Sequence, residues 1–538
     1  MAGALWWPVP VALDEVRVIT AFGDSHVWVF DHLLPHTDTP GDACPAGYPI
    51  TRTVRAIGWV PGLLFLLLRP LLGALGAANL VQLVSLPASA AVATVFLRRS
   101  TGVDPWVAAL LGAAFGLCPT LLGTLATGEI SNTQAWLLPA FLLAARPALR
   151  GSSKRGSGVA GVVGVAVVGL AAAFTSPYYA LALPILAGFL ALPHLRSRWS
   201  WFTLAALALS LMPAWLYYGQ GAAGGGASMF RPARQVAVRP AELPHPAPVA
   251  QPETLLWHTA PAPGSDVETV HVVALGLALL AVAGVGLLRR RGAPGWSLGL
   301  GLLVGGALAA LGPVLYAGGL LRGVGSTALP LPIAILEAVG WPTRQGGLYF
   351  RYAVVAELGL VLLAAVALKG RRRALYIAVA VLVLHVAEGV RASGPWGERT
   401  RNAVVGRKQL EALAGSDGAV LELPLQGPTD AWFGQSALLR AVYHRRPTTG
   451  LPRGNMQPND PVRGRLSRAL GEPDIDAAHA LLRSAGYRLV VLPESHIPHV
   501  SPALDRLELA LGPASRSDGL LYWDLGPATV DCAPAPSE

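Results

Sequence analysis

Residues 77 to 97 read AANLVQLVSLPASAAVATVFL, and two arginines, Arg98 and Arg99, follow directly. An apolar run of about 20 residues is long enough to cross the hydrocarbon core of a bilayer as a helix. Positive residues beside such a run favour the cytoplasmic side, because positive charge resists translocation. This run and its basic end therefore predict a membrane-spanning helix with a cytoplasmic C-terminus.

The same alternation of apolar runs and basic clusters repeats along the chain. The other basic clusters are Arg146, Arg150, Lys154 and Arg155; Arg196 and Arg198; Arg289 to Arg291; and Lys369 with Arg371 to Arg373. The other apolar runs are Trp106 to Ala126, Thr133 to Ala145, Val159 to Phe174, Tyr178 to Leu192, Trp201 to Tyr217, Val272 to Leu288, Trp296 to Tyr316, Tyr352 to Leu368 and Ala374 to Ala387. Ten alternating crossings place every basic cluster inside and leave the end of the chain outside.

The composition also indicates a membrane protein, with 53% hydrophobic residues, 13% charged residues and a mean hydropathy of +0.49. The formal net charge is +10, but the five clusters hold 15 of the 41 basic residues and the remainder has a small acidic excess. No basic patch is left outside the predicted cytoplasmic loops. We therefore exclude nucleic acid as a partner and expect the lipid bilayer instead.

The sequence predicts two domains. Residues 1–392 form an all-α polytopic membrane domain of about ten to eleven transmembrane helices, with outer loops at 14–58, 218–271 and 317–351. The apolar segment Trp59 to Leu75 contains Pro61, Arg69 and Pro70 and is interpreted as an interfacial or re-entrant helix. The loop 218–271 is either a lid that orders on binding or a proline-rich connector. The segment Met1 to Leu13 is either the outer half of a first helix or the remnant of one.

Residues 393–538 predict an extracytoplasmic α/β domain, because strand and helix patterns alternate there. The predicted strands are Ala419 to Leu423, Tyr487 to Leu492 and Leu520 to Leu525, and the predicted helices are Ala431 to Tyr443, Asp476 to Ala485 and Pro502 to Leu511.

The chain has three cysteines. Cys118 lies in an apolar run and is expected to be a small buried residue. Cys44 and Cys532 both fall outside in this topology, where they form either a disulfide or two separate thiols.

The first outer loop carries the strongest candidates for catalysis. Asp14 and Glu15 precede a segment that begins Gly23-Asp24 and also contains Trp28 and Asp31. A carboxylate at a membrane surface can deprotonate an acceptor hydroxyl, or hold a divalent cation against a phosphate leaving group. Ordinary solvated loop charges are the competing interpretation. The chain has no Walker A, HExxH, CxxC or GxSxG motif, which disfavours phosphate-loop enzymes and zinc hydrolases.

Several short motifs together resemble the GT-C superfamily of membrane glycosyltransferases. They are Gly23-Asp24 followed by Trp28; Gly128-Glu129-Ile130-Ser131-Asn132; Arg344 with Phe350-Arg351-Tyr352; Leu421-Glu422-Leu423-Pro424; and His444-Arg445-Arg446-Pro447. The likeness extends over nearly the whole chain, and it implies a bacterial inner-membrane enzyme that takes its sugar from a polyprenyl-phosphate donor.

The resemblance assigns roles to individual residues. Asp24 would be the base or metal ligand, and Asp14 and Glu15 would replace it if the Asp-Glu pattern of protein mannosyltransferases is the true match. A metal cofactor would be Mg²⁺ or Mn²⁺, with Asp24 as its ligand. Arg344 and Arg351 would hold the donor phosphate as bidentate donors, with Glu129 and Asp31 as further substrate-binding residues.

A second hypothesis is a non-catalytic membrane scaffold, or a transporter for lipid-linked glycans. Transporters place polar groups near the middle of the membrane and show internal repeats, whereas polar residues here concentrate outside. Glu357 is the exception, because it lies about two turns into a predicted helix, where an ionisable group usually faces a cavity or a partner.

Overall fold

The computed structural model describes residues 27, 30, 58–126, 128–150, 155–223, 255, 274–312, 315–317, 320–321, 323–324, 327–334, 349–393, 407–412, 418–423, 440, 443, 474–494, 497, 505 and 508–527. These residues fall into two compact units. The first contains 58–64 and the described residues from 80 to 393. The second contains 27, 30, 65–79 and the described residues from 407 to 527.

The helices from residue 59 to residue 393 coincide with the predicted apolar runs. They are α1 (Trp59–Thr101), α2 (Pro105–Gly116), α3 (Pro119–Ala126), α4 (Leu137–Arg150), α5 (Arg155–Ala173), α6 (Pro177–Ala191), α7 (Arg198–Ala223), α8 (Leu277–Arg289), α9 (Trp296–Ala310), α10 (Ala353–Leu368) and α11 (Ala374–Ser393). Each of the ten predicted runs contains a helix, so the mostly helical fold is confirmed.

Local sequence explains where these helices break. Helix α1 includes the predicted interfacial segment and is irregular at Gly73, which has a φ of 68° and a ψ of 176°. Helices α2 and α3 together form the run from Trp106, but they meet at an angle of 45° because Pro119 cannot continue a helical hydrogen-bond ladder. Helix α9 ends at Ala310, earlier than predicted, because Gly312 takes a φ of 77°.

Two of the described helices, Trp59–Thr101 and Ala374–Ala392, are long and apolar enough to span a membrane, and the bent pair α2 and α3 would be a third. Six further apolar helical segments among the described residues are 10 to 17 residues long: Leu137–Leu149, Gly158–Ala173, Tyr178–His194, Leu277–Arg289, Trp296–Ala310 and Ala353–Leu368. The predicted outer loop 317–351 includes two short antiparallel hairpins, β1 (Tyr316–Ala317) with β2 (Leu320–Leu321), and β3 (Gly323–Val324) with β4 (Thr327–Ala328).

Helix α10 forms the centre of the first unit, and every one of its residues from Ala353 to Leu368 is buried. Glycines allow its neighbours to approach closely. A Cβ on Gly359 would lie 2.4 Å from the backbone nitrogen of Leu303 in α9, and one on Gly306 would lie 2.3 Å from that of Ala356. Small residues at such contacts are typical of helix packing in membranes, where close backbone approach maximises van der Waals contact.

The basic clusters gather at one end of this unit. The Lys369 Nζ donates to the Thr101 carbonyl oxygen at 2.6 Å, and Arg290 donates to the Lys369 carbonyl oxygen at 3.2 Å. Arg146 donates to the Ser100 hydroxyl. Four clusters that are far apart in sequence therefore meet around the C-terminus of α1, as a common cytoplasmic side requires.

The second unit contains a four-stranded mixed sheet in the order β5 (Ala419–Glu422), β6 (Tyr487–Pro493), β8 (Leu520–Asp524), β7 (Ser515–Ser517). Strands β5 and β6 are parallel, and the other pairs are antiparallel. Helices α12 (Arg407–Ala412) and α13 (Ile475–Ser484) also belong to this unit. The three predicted strands and the helix from Asp476 are confirmed. Of the other two predicted helices, residues 440, 443, 505 and 508–511 are helical, and 431–439, 441–442, 502–504 and 506–507 lie outside the described residues.

Alternation along the strands builds the core of this sheet. Leu421, Val490 and Leu492 pack on one face with Leu482 of α13, and Val420, Leu489 and Val491 pack on the other. Glu422 is buried at the end of β5, where its carboxylate accepts hydrogen bonds from Arg440 at 2.7 and 2.9 Å. This pair explains the Leu-Glu-Leu-Pro motif as a structural feature of the sheet.

Candidate functional site

The candidate site begins in the connection between α3 and α4. Gly128 has a φ of 72°, a conformation that favours glycine, and its N–H donates to the Leu125 carbonyl oxygen at 3.0 Å. The next residue, Glu129, donates its N–H to Thr124, and its own carbonyl oxygen accepts from the N–H groups of Asn132 and Thr133. This tight turn fixes the Glu129 side chain at the end of the bundle.

Glu129 forms an ion pair with Arg351, which lies 222 residues later in the chain. Arg351 belongs to the 3₁₀ turn Tyr349–Tyr352, directly before α10. The side chains are only 6% and 12% exposed for Glu129 and Arg351. The structure therefore brings together two residues that the sequence identified separately as substrate-binding candidates.

Asn132 holds this pair in place from the side of the carboxylate. Its side-chain Nδ2 donates to the Glu129 Oε2 at 2.9 Å, while its Oδ1 accepts from the Ser176 hydroxyl at 2.6 Å. The Tyr179 hydroxyl donates to the Asn132 carbonyl oxygen at 2.5 Å. Ser176 is also the N-cap of α6 and accepts from the Tyr178 N–H. The start of α6 is thus fixed to the Glu129 turn.

Aromatic rings enclose the guanidinium. The Arg351 Cζ lies 4.4 Å from the centroid of the Tyr178 ring, within the range of a cation–π interaction. Tyr352 packs edge-on against Tyr178, with 6.2 Å between ring centroids and an interplanar angle of 71°. These rings restrict the rotamers of Arg351, so its planar fork of donors is preorganised.

The site lies opposite the basic clusters. Arg351 precedes the first residue of α10 and Lys369 follows the last, and a helix of 16 residues is about 24 Å long. Three connections that are predicted to be on the outer side meet at this end: 128–136, 174–177 and 349–352. The Trp59 N–H also donates to the Phe174 carbonyl oxygen there, at 2.6 Å.

Most of the other predicted site residues lie outside the described residues. These are Asp14, Glu15, Asp24, Asp31 and Arg344, together with the disulfide candidates Cys44 and Cys532. From the Asp24 segment the structure describes Val27 and Phe30, which are helical and fully buried; Phe30 packs against Phe65 of α1 with 5.7 Å between ring centroids. Cys118 is buried, as expected.

No group of three His, Cys, Asp or Glu side chains in the described part of the chain is arranged to hold a metal ion. The prediction of Mg²⁺ or Mn²⁺ therefore still depends on Asp24.

No protein-family model matches the sequence, and no curated protein matches it. Among solved structures, ArnT from Cupriavidus metallidurans in the apo state superposes with a TM-score of 0.51 over 98% of this chain and 96% of that chain, at 12% sequence identity. This chain has the GT-C fold.

Two other GT-C structures are similar over much of the chain. Arabinofuranosyltransferase AftD from mycobacteria matches at 17% identity with a TM-score of 0.45, over 88% of this chain and 36% of that chain. The present sequence thus spans about a third of AftD. The Archaeoglobus fulgidus oligosaccharyltransferase matches at 11% identity with a TM-score of 0.42, over 95% of this chain and 71% of that chain.

Part of this site was not predicted from the sequence. Tyr178 and Tyr179 begin a predicted apolar run and Ser176 lies just before it, yet these residues contact the Glu129 turn and Arg351. The signal was present: a Ser-Pro helix start followed by two tyrosines, at an end of a helix that is predicted to face outward.

Proposed function

We propose that this protein is a glycosyltransferase that moves a sugar from a polyprenyl-phosphate donor to an acceptor outside the membrane, either a glycan, a lipid or a protein. The observation that carries the proposal is the Glu129–Arg351 pair at the outward end of a GT-C-like bundle. Arginine recognises phosphate and carboxylate groups with the same bidentate geometry, so the phosphate of a donor can join Glu129 at the Arg351 guanidinium. ArnT has been solved with undecaprenyl phosphate, which suggests the class of lipid carrier.

In the proposed reaction an acceptor hydroxyl attacks the anomeric carbon of the sugar, and the bond from that carbon to the phosphate oxygen breaks. The leaving polyprenyl phosphate takes the electron pair. Arg351 stabilises the negative charge that develops on it, and Arg344 is a second candidate for the same task. The hydroxyl proton passes to Asp24 as general base, with Asp14 and Glu15 as the alternative. Asp31 is a further candidate for substrate binding.

We place the protein in the bacterial inner membrane, with ten crossings and residues 393–538 outside. The convergence of the basic clusters at one end of the bundle supports this orientation. Reporters fused after Arg155, Arg198, Arg291 and Arg373 should signal cytoplasm, and reporters near Ala250 or after Gly394 should signal the outer side. A cytoplasmic reporter after Gly394 would contradict both the topology and the proposed acceptor side.

Transfer can be tested in membranes that contain the protein, with radiolabelled polyprenyl-phosphate sugars as donors. We expect label to move from the lipid fraction into an acceptor with the wild type, and not with Arg351→Gln at equal protein level. Binding of polyprenyl phosphate without transfer of any donor sugar tested would contradict the enzyme and favour the scaffold or transporter.

A further inference from the structure

A second polar cluster lies inside the helical bundle, away from the Glu129 turn. Glu357 of α10 and His385 of α11 are completely buried, with 3.8 Å between the His385 Nε2 and the Glu357 Oε2. Glu388 follows His385 by three residues on α11, so the two share a helix face. Three ionisable groups thus converge in an apolar bundle, where each charge is costly.

The start of α8 closes this cluster from a third direction. Gly276 precedes α8 with a φ of 75°. A Cβ at this position would lie 2.1 Å from the His385 Nδ1 and 3.0 Å from the Glu388 Oε2. The Glu388 carboxylate also lies against the backbone N–H groups of Leu277 and Ala278, and a helix N-terminus stabilises negative charge. Glycine is therefore required where the imidazole meets α8.

The polar atoms at the centre of the cluster have no hydrogen-bond partner among the described residues. This holds for both carboxylate oxygens of Glu357, both ring nitrogens of His385 and the Oε2 of Glu388. Burying polar atoms without hydrogen bonds costs free energy. A bound species that supplies positive charge would lower this cost for the carboxylates. A proton supplies such a charge and needs no ligand beyond a carboxylate oxygen of the cluster itself.

We propose that Glu357, His385 and Glu388 form a proton-binding site inside the bundle. The proton resides on the Glu357 carboxylate, because Glu388 has the N-terminus of α8 and the charge of Arg391 to balance it, whereas the cationic partner that the described residues place beside Glu357 is the imidazole. His385 is the route by which that proton enters and leaves. The Nε2 atom accepts it from the Glu357 carboxyl group, and the Nδ1 atom releases a proton to the partly exposed Glu388 carboxylate, whose Oε2 lies on the same side of the imidazole beside Gly276.

Few other ionisable groups face this site. Cys118, at the break between α2 and α3, interacts electrostatically with Glu357. The sequences of α2, α3 and α9 contain no ionisable side chain. Arg351 and Tyr352 lie before α10, Arg391 lies nearly two turns beyond His385 on α11, and Arg289 is at the far end of α8. A proton on Glu357 is therefore the simplest way to neutralise the centre of the cluster.

Infrared spectroscopy of the purified full-length protein in lipid nanodiscs tests the site directly. A protonated carboxyl group has a carbonyl stretching band that an ionised carboxylate lacks. We expect the wild type to show this band at neutral pH and to lose it reversibly as the pH rises. Glu357→Gln should abolish the band, while Glu388→Gln and the exposed control Asp104→Asn should retain it.

His385→Gln keeps both carboxylates and tests the imidazole. We expect the band to persist with an altered position, and its loss at high pH to become slower after a pH jump. Absence of the band in the wild type, its retention in Glu357→Gln, or an unchanged band and rate in His385→Gln would overturn the proposal. None of these readouts depends on sugar transfer, so they test the proton site independently of the proposed function.

Discussion

Sugar transfer by Asp24→Asn should fall by a factor of about 10² to 10⁴, the usual loss when a general base is removed. The substitution keeps the size and polarity of the side chain and removes only its charge. The sequence predicts an outer loop at Asp24, and a substitution in an exposed loop should change the free energy of unfolding by no more than roughly 0.5 kcal/mol. Initial rates of label transfer, normalised to the amount of protein in the membrane, measure the effect.

Matched substitutions in the same loop provide the controls. Asp38→Asn and Asp42→Asn remove equal charges outside the Gly23-Asp24 motif and should leave transfer nearly unchanged. If Asp24→Asn is active but Asp14→Asn or Glu15→Gln is inactive, the general base is Asp14 or Glu15, as the Asp-Glu pattern of protein mannosyltransferases implies. Normal transfer by all three variants would exclude an acidic base in this loop and leave the scaffold as the better hypothesis.

Arg351→Gln should lose both stability and transfer. Removing one partner of a buried ion pair costs up to about 3 to 5 kcal/mol, and the Glu129 side chain is only 6% exposed. The substitution also removes the proposed ligand of the donor phosphate. We expect a lower free energy of unfolding in mixed micelles and transfer reduced to background.

The double variant Glu129→Gln with Arg351→Gln separates these two effects. It replaces the ion pair by two neutral amides of similar size that can bond to each other, and should therefore recover most of the lost stability. Transfer should remain at background, because the guanidinium is still absent. Recovery of transfer together with stability would show that Arg351 has only a structural role.

Residues 77 to 97 and the runs that follow could be recognised as helices from sequence because membrane helices need long apolar stretches, and that requirement is visible in a single chain. The strands at Ala419, Tyr487 and Leu520 were equally predictable, since buried strands leave continuous apolar runs. Helix ends were less accurate. The early end of α9 follows from the conformation of Gly312, which composition does not reveal.

Glu129 and Arg351 were predicted as site residues from motifs that resemble the GT-C superfamily, and Glu357 because an ionisable residue within an apolar helix is rare and costly. It could not give their partners. Arg351 finds Glu129 across 222 residues, and Glu357 faces His385 rather than the outer surface. His385 lies within the predicted apolar run Ala374 to Ala387, and only its position beside α10 shows that the helix face it shares with Glu388 meets Glu357.

Hydrophobicity and charge act locally along the chain. The sequence alone therefore determined the membrane class, the helices, the predicted orientation in the membrane and the ionisable residues whose burial costs free energy. The tertiary structure decided which of those residues share a site. That depends on how the helices pack. Gly306 and Gly359 bring the backbones of α9 and α10 together, and Gly276 leaves room for the His385 side chain of α11 at the start of α8. Such contacts join positions that are distant in sequence, and no local pattern specifies which glycine meets which helix.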